Sequence, residues 1–576
     1  MEAFITHQNE IIDIFSLITR DIELRPFMVK YQKLLLSLKK NIMTEKRPIV
    51  QQYHFSLLTL LYKLIPYTRD IYGGLGERHL CYAMLFLWNY HFPVPTAQCI
   101  YKMVLPIDNN PSYGSWRDIK NLCLFVKEHS ERGDQDPLIE TCIGMLNHQL
   151  ETDYKKWNDT YDEYIRNKAT VHDIPFPTPS NAGISLVCKW IPREHSSFDW
   201  LFKRCAVQWI RTFKPQYFKT CKDNRQFEAA MRKGSKEYRH IFTMLSKAWD
   251  TIEIKQCTQQ WDSIQFSNIP FMALQRQQQS LLNIGLSGNV RTKTMHAKDR
   301  QLCAKKLQLQ WCTNNAYKKH HLDQVNPLFT DMGLFIKNAL RASHAEEIKR
   351  VENNWVHILS QISDLPNTLP IVDMSLFFHK PDRFYDALGM ACLVAMKSSK
   401  RIFLFDQTCH FISIENCNTV KEILQLISPI FHEHHIGQNY KGICDTLVKS
   451  IVDSKMNSND ISSLKLVFFT FYDEIDTIFD TLQKSLERAA ITQPPILLIW
   501  RANQTVPSVT PSYKEHKAFI LSGNANYMWT RISHLSDDVW KKGNSLDLIA
   551  HFVNQPRYKP FEEYFSTILQ LPPGGT

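Results

Sequence analysis

Apolar residues recur at three- and four-residue spacing through most of the first 365 positions. The runs "HFSLLTLLYKLIPYTRDIY" (54–72) and "ERHLCYAMLFLWNYHF" (77–92) show it, as do "FKRCAVQWIRTFKPQYFKTC" (202–221) and "EYRHIFTMLSKAWDTIEI" (237–254). That period predicts amphipathic helices, punctuated by Pro and Gly. Successive helices without strand signals predict a solenoid-like or irregular helical array, and no fixed repeat period is present. The polar stretch "NDTYDEYIRNKATVHDIPFPTPSNAG" (158–183) reads as a long loop within it.

After Leu365 the pattern changes. Short apolar runs of strand length, "PIVDM", "RIFLFD", "FISIE", "LKLVFFTFY", "PPILLIW" and "AFILSG", are separated by amphipathic stretches such as "DRFYDALGMACLVAMKS" and "YKGICDTLVKSIVDS". Buried strands alternating with helices predict a doubly wound, mostly parallel α/β sheet. The chain is therefore expected to be multidomain, α plus α/β, with a helical region over 1–365 and an α/β domain over 366–576.

Composition adds few constraints. The 576 residues are 44% apolar and 22% charged, ordinary for a globular protein, and the 18 glycines favour helix. No run approaches the roughly 20 uncharged apolar residues that span a bilayer. The first residues lack a basic start followed by an apolar stretch, so no signal peptide is expected. Fourteen cysteines are scattered without a C-x-x-C pair, which points to reduced thiols in a cytoplasmic setting rather than a disulfide framework or structural zinc.

Charge does change the picture. The net charge is +11, yet residues 201–350 alone hold about +15, and the flanking regions are near neutral. A basic block of this kind suits a polyanion, nucleic acid first, or else forms a solvated helical surface. The candidate contacts are Arg232, Lys233, Lys236 and Arg239 in "MRKGSKEYRH", then Arg291, Lys293, Lys298, Arg300, Lys305 and Lys306, then Lys318 and Lys319. Tyr238 and Tyr317 lie beside them as candidate stacking partners for bases. No RRM, KH or zinc-finger pattern accompanies them, so base-specific readout is not expected.

Asp373 ends the first strand of the α/β region, where the loops of such sheets gather ligands, and Ser375 follows two positions later. A hard divalent cation there would need several oxygen ligands. The alternative is a carboxylate that accepts N–H groups of the following turn. An α/β domain opening on strand-Asp-x-Ser resembles a von Willebrand factor A domain. The resemblance implies a metal-ion-dependent adhesion site built from Asp373, Ser375 and Asp473, with Mg²⁺ as the ion. It also implies that two hydroxyl ligands of that site are replaced here, by Phe377 and Tyr440.

A wider resemblance rests on blocks in a fixed order. They are "YGGLGERHLCYAMLFLW", "YGSWRDIKNLC", "CKWIPREHSSFDW", "EYRHIFTMLSKAWDTIEIKQCTQQWDSIQFSNIPFMALQR", "GQNY", "ILLIWRANQT" and "AFILSG". Together they resemble an uncharacterised family of plants, fungi, microbes and giant DNA viruses, including mimivirus, which couples a helical region to a von Willebrand A-like domain. In architecture that family is similar to the Ro ribonucleoprotein autoantigen. The resemblance implies a non-enzymatic scaffold with RNA and protein partners, located in the cytoplasm, or in the virion if viral. Read as residues, these blocks carry structural roles: Gly114 for a turn, Trp116 as a core anchor, Asp118 in a first helical turn, and Arg193 and Glu194 as pairing partners.

Catalytic chemistry finds no support. "YGGLGERHL" lacks the Gly-Lys-Ser/Thr ending of a phosphate loop, and no nucleophile elbow or kinase set is present. The expectation is a binding scaffold without catalytic residues, cofactor, membrane span or small-molecule substrate. The alternatives are an assembly protein of a large DNA virus particle and a cation-dependent adhesion module.

Overall fold

The computed structural model describes residues 2–17, 23–70, 74, 76–106, 111–168, 177–179, 182–219, 221–266, 269, 271–285, 289–313, 332–362, 364–379, 381–432, 439–470, 475–501, 518–521, 545–562 and 565. Helices dominate. In chain order they are α1 (Glu2–Leu17), α2 (Leu24–Thr44), α3 (Pro48–Arg69), α4 (His79–His91), α5 (Pro93–Val104), α6 (Trp116–His129), α7 (Pro137–Lys168), α8 (Val187–Trp190), α9 (Asp199–Phe213), α10 (Gln216–Lys219), α11 (Asn224–Trp249), α12 (Ile252–Cys257), α13 (Phe271–Leu281) and α14 (Lys298–Thr313). The remainder are α15 (Met332–Arg341), α16 (Ala345–Gln361), α17 (Leu376–His379), α18 (Pro381–Lys397), α19 (Val420–Ile427), α20 (Tyr440–Asp453), α21 (Ser458–Ser463), α22 (Ile475–Arg488) and α23 (Ser545–Val553). The strands are β1 (Thr368–Asp373), β2 (Arg401–Phe405), β3 (Cys409–Ser413), β4 (Lys465–Thr470), β5 (Ile496–Arg501) and β6 (Ala518–Leu521).

The chain divides into two compact units, and the division differs from the boundary expected at Leu365. Unit 1 joins residues 1–77 and 270–272 to 309–567, while unit 2 holds 78–269 and 273–308. The N-terminal helices thus belong with the sheet. The reason is packing: α3 meets the segment that begins with α23. Phe15 and Tyr67 stack on Phe552 with ring centroids 6.2 and 6.1 Å away, and Tyr62 stacks on Phe565 at 4.8 Å. Two buried charges fix the same seam. Lys63 donates to Asn554 Oδ1 and Glu562 Oε2, both at 2.6 Å. Asp70, with no exposed surface, accepts from Arg557 Nε at 2.6 Å and Nη2 at 3.0 Å, and from the Tyr558 hydroxyl at 2.8 Å. Gly74 follows because a Cβ there would lie 1.8 Å from the Tyr67 carbonyl oxygen.

The sheet of unit 1 has the order β3-β2-β1-β4-β5-β6. All neighbours run parallel except β2 and β3, which are antiparallel. β1, β2 and β4 are covered on both faces, which is why they read as continuous apolar runs. β3 lies at the edge and alternates, with Ile412 buried and Phe411 exposed. One face carries a core of Ile371, Phe403, Leu466, Phe468, Leu497 and Ile499 against α20 and α22. Helix α19 is started by a capping box, in which the Glu422 amide donates to Thr419 Oγ1 and the Thr419 amide donates to Glu422 Oε2.

Unit 2 is an irregular helical array whose helices range from 4 residues in α8 to 32 in α7. Helix α7 extends to Lys168 and takes in the first part of the stretch expected as a loop. Its polar residues there are charged helix formers on an exposed surface, which sequence polarity alone does not separate from coil. Helices α7, α9 and α11 share a core around Tyr238, whose hydroxyl donates to Asn147 Oδ1 at 2.8 Å. Gly234 lets α11 approach α9 closely, since a Cβ there would lie 2.4 Å from Ile210 Cδ1. No disulfide joins the described cysteines, and most are buried. No described helix is long and apolar enough to cross a membrane.

Candidate functional site

The carboxyl edge of the sheet in unit 1 gathers polar residues. β1 ends at Asp373, β2 runs into Asp406, and β4 ends at Thr470, so adjacent parallel strands deliver them to one place. All three are buried. Asp373 Oδ1 accepts the Ser375 amide at 2.9 Å, an Asx turn, and Oδ2 accepts the Thr470 hydroxyl at 3.2 Å. Asp406 accepts the amide and hydroxyl of Thr408 at 2.7 and 2.8 Å, and its carbonyl oxygen accepts the Asn439 amide at 2.9 Å. Asn439 in turn caps α20 by accepting the Gly442 amide. Asp406 and Thr470 were missed as site residues in the sequence. The available signal was a polar residue closing each apolar run, in "RIFLFD" and "LVFFT".

A hard cation at this edge would require a cage of oxygens. Phe377 instead packs its ring 5.3 Å from that of Phe384, and Tyr440 buries its ring 5.9 Å from Phe405. Both protein oxygens of Asp373 already accept hydrogen bonds. No group of three or more His, Cys, Asp or Glu side chains is placed to hold a metal among the described residues. Asp473 lies outside the described residues.

The basic candidates lie in unit 2, apart from Lys318 and Lys319, which with Tyr317 fall outside the described residues. On α11, Arg232 is exposed and 3.8 Å from Glu228, Lys236 is exposed, and Lys233 Nζ sits 5.0 Å from the Tyr217 ring centroid. Arg239 pairs with Glu194. Arg291, Lys293, Lys298, Lys305 and Lys306 are exposed around α14, with Lys306 donating to the Asp262 carbonyl. Two expectations need correction. Arg300 is buried: its guanidinium stacks 3.5 Å from the Trp261 ring centroid and donates to the Ser280 carbonyl at 2.9 Å. Tyr238 has no exposed surface and cannot stack on a base.

The blocks "YGSWRDIKNLC" and "CKWIPREHSSFDW" hold the structural roles read for them. Asp118 Oδ2 accepts the Ser115 amide at 2.8 Å at the start of α6, and its Oδ1 accepts the Tyr82 hydroxyl at 2.6 Å, with Arg78 at 3.5 Å. Trp116 is buried. Arg193 donates to the Cys188 carbonyl at 3.2 Å and lies over Phe242.

No protein-family model matches the chain, and no solved structure matches it. A curated relative does: "Uncharacterized protein L728" of Acanthamoeba polyphaga mimivirus is 20% identical over 540 residues, spanning 90% of this chain and 81% of the relative. The similarity thus runs through both units and links the chain to a giant-virus protein.

Proposed function

We propose that the chain is a non-enzymatic binding scaffold, in which the basic helical unit contacts RNA and a degenerate von Willebrand A-like domain offers a surface to protein partners. The observation that carries the RNA half is the concentration of about +15 formal charge in residues 201–350, with Arg232, Lys233, Lys236, Lys293, Lys298 and Lys305 facing solvent. The A-like reading is supported by a parallel sheet with one antiparallel edge strand and by Asp373-x-Ser375 at the carboxyl end of β1. Asp373 acts there as a structural acceptor rather than a metal ligand.

The test is binding of labelled RNA at low salt by the full chain and by a variant with Arg232, Lys233, Lys298 and Lys305 reversed to Glu. Submicromolar binding that the variant loses supports the reading; wild-type binding absent at low salt ends it. A second reading, an assembly protein of a large DNA virus particle, is favoured by the mimivirus relative. Stoichiometric copies in purified particles would support it over the RNA scaffold.

A further inference from the structure

Two segments about 70 residues apart in sequence meet in unit 2. Helix α6 buries Trp116, Ile119, Leu122, Cys123 and Val126 on one side. A flank of that buried face carries Arg117, Lys120 and Lys127, separated by three and seven residues, a spacing that sets them in one stripe. At about 1.5 Å per residue the stripe is roughly 15 Å long. Three half-buried rings lie along it: Trp190 at the end of α8, Phe198, and Trp200 in the first turn of α9. Arg117 Cζ is 5.5 Å from the Trp190 centroid. Lys120 Nζ is 5.4 Å from Trp190 and 4.6 Å from Phe198, and Lys127 Nζ is 4.4 Å from Trp200.

Among the described residues these cations have no ion-pair partner. The carboxylates around them are committed elsewhere: Glu253 to Lys189 at 2.7 Å, Asp199 to Lys203 at 2.6 Å, Glu194 to Arg239, and Asp118 to Arg78 and Tyr82. Among the described residues none forms an ion pair with Arg117, Lys120 or Lys127. Burial depresses the pKa of Lys120, and the charges of Arg117 and Arg193 add to the effect. Ring faces compensate only part of that cost. An incoming anion would relieve the rest.

We propose that this basic–aromatic stripe is a binding site for single-stranded nucleic acid, with phosphates on Arg117, Lys120 and Lys127 and bases stacked on Trp190, Phe198 and Trp200. It rests on the RNA reading above and adds the α6 stripe as a further contact beside the basic blocks of α11 and α14. The interleaved rings favour nucleic acid over an acidic peptide, because phosphates can draw the cations off the rings while bases take their place on the ring faces. They favour a single strand over a duplex, whose bases already stack on one another.

The test is fluorescence anisotropy of the full chain with labelled U15 RNA, dT15 DNA and a 15-base-pair RNA duplex, with poly-glutamate as a competitor. The variants are K120Q/K127Q, which keeps alkyl stems over the rings, W200L, and the remote K233Q/K305Q, each checked for fold by circular dichroism. The expected result is U15 binding weakened about tenfold or more in K120Q/K127Q, with the slope of log K against log salt reduced by about 1.4. W200L should weaken U15 about tenfold with the slope unchanged, a signature of stacking rather than charge. Equal loss of U15 and dT15 identifies the shared single-stranded chemistry; loss of U15 alone identifies RNA. Three outcomes overturn the site. If K120Q/K127Q binds as wild type while K233Q/K305Q does not, RNA is bound elsewhere and the broader reading stands. If poly-glutamate displaces U15 as well as unlabelled U15 does, the ligand is an acidic peptide. If wild type binds none of the probes, the site and the RNA reading fall together.

Discussion

At Asp373 the two carboxylate oxygens accept from Ser375 and Thr470 and so tie the end of β1 to the loop that follows and to β4. Replacement by Ala leaves a buried amide and hydroxyl without that acceptor, so Asp373→Ala should lower stability by about 1–3 kcal/mol in urea denaturation. Added Mg²⁺ should leave the wild-type melting temperature unchanged; a rise abolished by the substitution would restore the metal. His7 and His54 make a different point. Both are buried and lie edge to face at 5.4 Å, with His7 Nε2 2.8 Å from Ser37 Oγ. Burial lowers the pKa of each, and at His54 the neighbouring His7 adds to it. The fold therefore prefers neutral rings, whereas the unfolded chain takes up protons below about pH 6.5. Stability from this pair is complete above that pH and falls as the solution is acidified. A His7→Gln/His54→Gln variant should show a shallower decline in melting temperature between pH 7 and 5.

At the scale of elements, the seam between α3 and the segment that begins with α23 combines stacked aromatics with the enclosed Asp70–Arg557 pair and a buried Lys63. Removal of Arg557 leaves the Asp70 charge enclosed without its guanidinium, so Arg557→Ala should cost about 3–5 kcal/mol. In the double variant with Asp70→Asn the cost should fall below that of Arg557→Ala alone, which a double-mutant cycle measures. Additive costs would mean that the pair is uncoupled. The sheet was legible in the sequence because strands covered on both faces read as apolar runs, as Leu466 to Phe469 and Ile496 to Trp500 do. Their carboxyl ends were half legible: Asp373 announced itself beside Ser375, whereas Thr470 stands in a run that masks it. The seam was not legible. "SLDLIAHFV" is short, prolines follow it, and its partner α3 is 487 residues away at the Asp70–Arg557 contact. The stripe on α6 was hidden for a related reason, since Arg117, Lys120 and Lys127 sit in a region near neutral overall. Only the fold brings Trp190 and Phe198 to them.

For the whole molecule, charge placement matters more than its total. The excess of unit 2 predicts nucleic-acid binding that falls steeply with salt, by about 0.7 in log K per log salt for each phosphate held by a cation. Three phosphates held on α6 would give a slope near −2, and further contacts on α11 and α14 would steepen it. Anisotropy titrations between about 50 and 300 mM KCl measure the slope directly. A slope near zero would remove phosphate contact from the description of the chain, whatever its affinity.

The α3 seam also has a consequence for biosynthesis. A ribosome adding about 5–20 residues per second needs roughly half a minute to a minute and a half to travel from Asp70 to Arg557. Throughout most of that interval Lys63, Asp70 and Tyr62 have been made and Glu562, Arg557 and Phe565 have not, while all of 78–308 emerges in the meantime. The nascent chain thus carries an early-made helix with a waiting apolar and charged face. Completion of unit 1 awaits translation of the segment that carries Asn554, Arg557 and Tyr558.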